Sequence, residues 1–270
     1  MGVFQNFKQL IRQQEVEIQQ LYQDACQNIQ EGCFEDAEIK LKKIQTISPK
    51  DTRWMRGFGH LFHYKNNPTL SYHWYMQAAQ LNDDQAFYHL GQIEYQRHNY
   101  TLAKHYFKSS ISYGNSLSLL TLGTIYLHEY ELENALITLE QAVSCNHYDA
   151  LIPLGQTYLL AKAYSKAEEC FSKACDFDIQ FASHYFARVQ QYLNRLDLAK
   201  NWYLYAFHTE QNLSSLEAFG QLLCSEGNIL EGENIIAIAH KLEENTSLSN
   251  EENQIFERIM GTNRNFKLNL

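Results

Sequence analysis

Three histidines are the side chains in this sequence whose types and spacing come nearest to a reactive site. His60 and His63 lie one helical turn apart, so both imidazoles could reach a single metal ion, and His89 could approach from a neighbouring element. The donor set stops there. No carboxylate or thiol joins the three at a metal-ligand spacing, and HExxH is absent. Polar contacts made by the three rings account for them better than a metal does. The six cysteines contain no CxxC, and Cys170 and Cys175 fall where a helix would hold them in or beside a core. The sequence has no GxSxG, no phosphate-binding loop and no dinucleotide fingerprint. Glu168–Glu169 and Glu243–Glu244 are ordinary solvated helix positions. The expectation is a protein with no catalytic residues, no metal and no cofactor, and an enzyme is the weakest of the functional alternatives.

Charge narrows the partners. The 270 residues carry 22 Lys and Arg against 31 Asp and Glu, a formal net charge of −9, and no basic run interrupts them. Nucleic-acid binders need a basic face to neutralise phosphate, so nucleic acid is not an expected partner. No stretch approaches the apolar length of a membrane span. The N-terminus lacks the apolar segment and small-residue site of a signal peptide, and Asn6 stands where a myristoylation signal has Ser or Thr. With free thiols as the default reading, the expected location is the cytoplasm. The 18 Tyr and 15 Phe must serve packing or recognition.

The elements that would position these side chains follow from a repeat. Glycines at 59, 91, 123 and 155 are spaced by 32 residues, each after a large apolar residue, as in Leu122-Gly123-Thr124-Ile125-Tyr126. Ala187 and, one residue late, Gly220 continue the series. Twelve residues after each comes another small residue: Ser71, Ala103, Ala135, Ala167, Ala199 and Gly232. Four further on is a bulky one (Tyr75, Phe107, Leu139, Phe171, Tyr203, Ile236), and three beyond that a small one again (Ala78, Ser110, Ala142, Ala174, Ala206, Ala239). An earlier, weaker copy runs Ala25, Ala37, Leu41, Ile44, closed by Pro49. Offsets of four and three residues mark a helical face. Small residues facing one another let two helix axes approach to the lower end of the roughly 8–10 Å range, with the bulky residues filling the space beside them. Polar junctions such as Lys65-Asn66-Asn67-Pro68 and Glu226-Gly227-Asn228 supply helix stops, and Pro68 starts the next helix.

This pattern resembles the tetratricopeptide repeat, with the Sel1-like repeat as a near relative, over about five-sixths of the chain. The resemblance implies an all-α fold: a right-handed α-solenoid of seven antiparallel helix-turn-helix repeats over residues 18–245, with an N-terminal helical extension over 1–17 and a capping helix over 246–262. Residues 263–270 are read as a tail. In the capping helix Ser249 and Glu252 form a capping box, and Ile255, Phe256 and Ile259 cover the last repeat. The usual period of 34 is shortened here, chiefly in the links between repeats.

The resemblance also implies where binding occurs. Such repeats hold partners on the concave face of their first helices. Relative to each small residue, that face takes the residue three before, the one after, and those four and five after. The rule selects Arg56, His60, His63 and Tyr64; Tyr88, Gln92, Tyr95 and Gln96; Leu120, Thr124, Leu127 and His128; Ile152, Gln156, Leu159 and Leu160; and His184, Arg188, Gln191 and Tyr192. The alternative is that Leu120, Leu127, Ile152 and Leu159 only pack between repeats. A partner segment with apolar side chains flanked by acidic or polar ones would suit the lining, as an extended peptide or a helix. The Lys/Asn/Arg clamp by which some relatives grip chaperone C-termini is not matched. The expected function is a scaffold or adaptor for a protein partner. The alternative is a cytoplasmic chaperone or assembly factor for a bacterial secretion, pilus or envelope machine. A homodimer through Phe4, Phe7 and Ile11 of the N-terminal helix is a further expectation.

Overall fold

The computed structural model describes residues 2–261, with side chains from Lys8 onward; the expected tail at 263–270, and the side chains of Phe4 and Phe7, lie outside the described residues. The described residues form α-helices joined by short turns, with one 3-10 turn at Tyr148–Ala150 and no strand. The helices are α1 (Gly2–Gln30), α2 (Phe34–Ile47), α3 (Thr52–Tyr64), α4 (Pro68–Ala79), α5 (Asp84–Gln96), α6 (Tyr100–Ser112), α7 (Ser118–His128) and α8 (Leu132–Ser144). They continue with α9 (Leu151–Leu160), α10 (Tyr164–Asp176), α11 (Ala182–Tyr192), α12 (Leu196–Glu210), α13 (Leu213–Ser225), α14 (Ile229–Glu243) and α15 (Asn250–Gly261). The chain falls into two compact units, residues 1–125 and 126–270.

In the first unit α1–α2, α3–α4 and α5–α6 are packed pairs, and each pair stacks on the next through α2–α3, α1–α3 and α4–α5. In the second unit α9–α10, α11–α12 and α13–α14 pair in the same way, stacked through α10–α11, α9–α11 and α12–α13, with α15 packed on α14. This is the all-α helical-repeat arrangement expected of a solenoid, in which neighbouring pairs complete one another's cores.

The glycine ladder has a more specific function than close backbone approach. A Cβ built on Gly59 would lie 2.5 Å from the Tyr75 ring, on Gly91 2.7 Å from Phe107, and on Gly155 2.5 Å from Phe171. The bulky residue of the second helix is therefore seated on the glycine itself, not beside it. Backbone meets backbone at Gly220 and Gly232, where an added Cβ on either would strike the other's carbonyl oxygen at 2.8 and 2.5 Å. Phe107 and Phe171 are wholly buried as a result.

The turns share one geometry. Asn66, Asn82, His98, Gly114, Tyr130, Asn146, Lys162, Asp178 and Asn194 succeed each other every sixteen residues, and all have positive φ. The next amide in each case reaches back five residues to a helix carbonyl, as in Asn67 N to Phe62 O (2.8 Å), Asn99 N to Glu94 O (2.9 Å) and Ala163 N to Tyr158 O (2.8 Å). That is a Schellman closure. At Arg97-His98-Asn99-Tyr100 the left-handed residue is His98, and Asn99 caps α6, accepting from the Leu102 amide. Asp51, Asn67 and Asp83 cap α3, α4 and α5 similarly. Ser249 and Glu252 make the reciprocal bonds of a capping box at α15 (2.7 and 3.2 Å), whose Ile255, Phe256 and Ile259 join a core with Leu216, Ile235 and Ile238.

Candidate functional site

The face projected from the repeat lines open hollows within each unit. In the second unit Leu127, His128, Gln156, Leu159, Leu160, Arg188 and Tyr192 surround a hollow of about 280 Å³, together with Tyr130. A second hollow of about 590 Å³ lies next to it and shares Arg188 and Tyr192; His184, Gln191, Tyr203, Glu217 and Gln221 also line it. The two adjoin through Arg188 and Tyr192 and make one trough across α9, α11 and α13. Glu217 and Gln221 follow from Gly220 by the same offsets, so the projection carried one repeat further finds them. Tyr130 escapes it because it sits in a turn, with φ 59° and 75% of its surface exposed.

The smaller hollow has an apolar and aromatic wall of Leu127, Leu159, Leu160, Tyr130 and Tyr192, the larger one a mostly polar wall that includes Glu217, and Arg188 is the one guanidinium of both. Leu160 and Tyr192 are about half exposed, and Tyr192 stacks on Tyr164 at 5.4 Å. Arg188 and Gln191 are exposed, and Tyr203 donates to Gln191 Oε1 at 3.0 Å. His184 shares a hydrogen bond with Ser215 Oγ at 2.9 Å. This is not a nucleophile and base. Ser215 is fully buried, and burial together with the charge of Arg188 holds the His184 ring down to about 4. The bond ties α11 to α13. Ile152 packs with Leu151, Ala174 and Ala182 in the core, whereas Leu127 and Leu159 border the trough.

In the first unit His60, His63, Tyr64, Gln92 and Gln96 line a hollow of about 260 Å³ together with Tyr75, His89 and Ile93. His60 and His89 meet edge to face at 4.6 Å, His89 stacks on Tyr75 at 4.9 Å, and His60 Nδ1 and the Tyr75 hydroxyl share a hydrogen bond of 3.2 Å. Burial is the main cause that holds His60 down to about 3 and His89 to about 4, so both are neutral at physiological pH. Among the described residues no three His, Cys, Asp or Glu side chains gather closely enough to hold a metal ion. Tyr88 accepts from Gln92 Nε2 at 2.7 Å, and Tyr95 packs on Tyr100. Leu120 and Thr124 are half-buried on α7, the Thr124 hydroxyl bonded to the Leu120 carbonyl.

Arg56 is placed differently from the expectation. It is 7% exposed and turned into the interior, where Nε donates to the Tyr22 hydroxyl at 3.0 Å and Nη1 to Asp83 at 2.5 Å. Its guanidinium also lies 5.1 Å from the centre of the Tyr22 ring. A long side chain can leave the face its Cα occupies when a buried carboxylate offers a better partner.

Solved structures share the pattern of stacked pairs. The C-terminal part of a TPR repeat-containing protein from Cytophaga hutchinsonii aligns with TM-score 0.60 at 13% identity, over 87% of this chain and 98% of that one. YrrB, a TPR protein with an unusual peptide-binding site, aligns with TM-score 0.57 at 20% identity, over 66% of this chain and 96% of that one. The fold is that of the tetratricopeptide-repeat proteins. A chain of the APC/C hetero-tetramer Cut9–Hcn1 aligns with TM-score 0.53 at 18% identity, over 81% of this chain. The present chain spans 42% of the length of that one. No family model matches the sequence, and no curated protein matches it. In this tetratricopeptide-type fold, second-helix rings are seated on the first-helix glycines Gly59, Gly91 and Gly155. Among the described residues no helix is long and apolar enough to cross a membrane.

Proposed function

We propose that this chain is a protein-interaction scaffold that holds a short segment of a partner protein in the trough on α9, α11 and α13. The observation that carries the reading is the pair of adjoining hollows with Arg188 and Tyr192 in common. Leu127, Leu159, Leu160 and Tyr192 offer a seat for a bulky apolar side chain, and Arg188 offers a guanidinium to a carboxylate beside it. Tyr and Arg are frequent energetic anchors of interfaces. YrrB, of the same fold, has a peptide-binding site. The half-buried imidazoles of both units are neutral and engaged with Tyr75 or Ser215, which suits recognition better than acid–base chemistry.

An assembly factor for an envelope, pilus or secretion machine would use the same trough and differ only in its partner. The test is affinity capture with the full chain, identification of the bound segment, and titration of that peptide against Leu160→Glu, Arg188→Glu and Tyr192→Ala variants of unchanged helicity. Loss of an anchor worth about 2 kcal/mol weakens binding roughly 30-fold. Unchanged affinity in all three variants rules the trough out. For self-association, Leu10, Ile11 and Val16 are exposed on α1 at 62%, 49% and 69%. Sedimentation of the chain against an Ile11→Glu/Val16→Glu variant decides whether this stretch mediates a homodimer.

A further inference from the structure

The second unit has another hollow, of about 430 Å³, away from the trough. It is bounded by the end of α10, the link to α11, the first turn of α11 and the second half of α12. The sixteen-residue stride and its closure hold here, but the link carries a second left-handed residue. After the left-handed Asp178 the next helix waits until Ala182, with Phe181 at φ 66°, and α12 runs fifteen residues where α10 runs thirteen. A volume of this size falls within the few hundred Å³ typical of small-molecule sites.

Two kinds of group line it. Asp176, Asp178 and Glu210 supply three carboxylates, and no Lys, Arg or His takes part in the wall. Among the described residues none of the three is in an ion pair, and Glu210 Oε2 is shielded from solvent with no hydrogen-bond partner. A carboxylate oxygen in that position is costly unless a donor reaches it. The same wall holds Phe186, Trp202 and Tyr205, with Trp202 packed on Phe186 and on Tyr205 at centroid distances of 4.7 and 5.4 Å. The Cys175 thiol also lines the hollow; burial, with the three carboxylates adding to it, pushes it up to about 12, so it stays protonated.

We propose that this hollow binds primary ammonium groups carried on a methylene chain, as in an aliphatic polyamine or a lysine side chain. Asp176 and Asp178 are exposed and Glu210 is half-buried, and no three acidic, thiol or imidazole groups come close enough to share a metal ion among the described residues. A bare divalent ion therefore has no cage, whereas separated ammonium groups can each meet a carboxylate. The rings of the same wall suit the methylenes, and a ring face attracts a cation. The site is independent of the trough, since it shares no residue with it.

The test is calorimetric titration of the full chain with spermidine and, separately, with a blocked lysine peptide, each at low and physiological salt. One saturable site per chain is expected, weakened at least tenfold by Asp178→Asn/Glu210→Gln and two- to fivefold by Tyr205→Leu. Glu210→Gln removes a negative charge from the C-terminal end of α12, where it opposes the helix dipole, so the fold is retained and circular dichroism checks this. Tighter spermidine binding assigns the site to free polyamine, and tighter peptide binding to a partner's lysine; either supports the site. No saturable binding of either, equal affinity in the double carboxylate variant, or displacement by magnesium at matched charge overturns it.

Discussion

The Arg56 guanidinium meets the Asp83 carboxylate at 2.5 Å in the interior, with only 8% and 4% of the two side chains exposed. Asp83 also accepts the Ala86 amide at 2.7 Å and so opens α5, while Arg56 reaches Tyr22 on α1. One ion pair thereby fastens the helix pairs on either side of α3. Leaving one partner of a buried pair alone costs about 3–5 kcal/mol. Arg56→Leu is expected to lower stability by about that much in urea melts. Asp83→Asn keeps the cap and isolates the charge, so it should cost less than Asp83→Ala. In Arg56→Leu/Asp83→Asn much of the loss should return.

Gly91 offers a second check, with the sign opposite to intuition. Gly→Ala in an unobstructed helix stabilises by about 0.5–1 kcal/mol. At Gly91 the new methyl would sit 2.7 Å from the Phe107 ring, which has no room to retreat because Phe107 is wholly buried. Overpacking of this kind costs about 1–3 kcal/mol. Gly91→Ala should therefore lower the denaturation midpoint, and Gly91→Ala/Phe107→Leu should recover part of it.

Stability should fall on mild acidification. His60, His89 and His184 are held to about 3, 4 and 4 by burial, against about 6.5 in the unfolded chain. Between those values the unfolded state binds more protons. Stability from these rings is complete above pH 6.5 and is lost as pH falls toward the folded values. By pH 5 each ring accounts for about 1–2 kcal/mol, before most carboxylates begin to titrate. Melts at pH 7.5 and 5.0 should show the difference, and His89→Gln should flatten it.

Much of the fold was readable because a repeat makes each local signal recur. The 32-residue glycine series, Pro68 at a helix start and the Ser249–Glu252 box all correspond to observed geometry. The sequence does not reveal contacts set by side-chain reach. Arg56 occupies a face position by spacing, yet its partner Asp83 lies 27 residues away on another element. The seating of Phe107 on Gly91 depends on how the two helices are rotated, which spacing alone leaves open. Of the candidate site, the projected positions in α9 and α11 do meet across one trough, but Tyr130 reaches it from a turn. The acidic hollow was invisible because it depends on a second left-handed residue, Phe181, close after Asp178 and on the longer α12, neither of which the repeat foretells.

The equal spacing of the left-handed turns has a further consequence. From Asn66 to Asn194 a junction inside a helix pair and a junction between pairs are built from the same sixteen-residue stride. Excising two strides, such as Asn67–His98, rejoins matching ends and keeps the next helix in its antiparallel direction. Excising one stride also rejoins matching ends but reverses the direction of everything downstream. Growth or shrinkage of such a chain by gene duplication is therefore permitted only in steps of two strides, and a variant shortened by one should fail to fold beyond the cut.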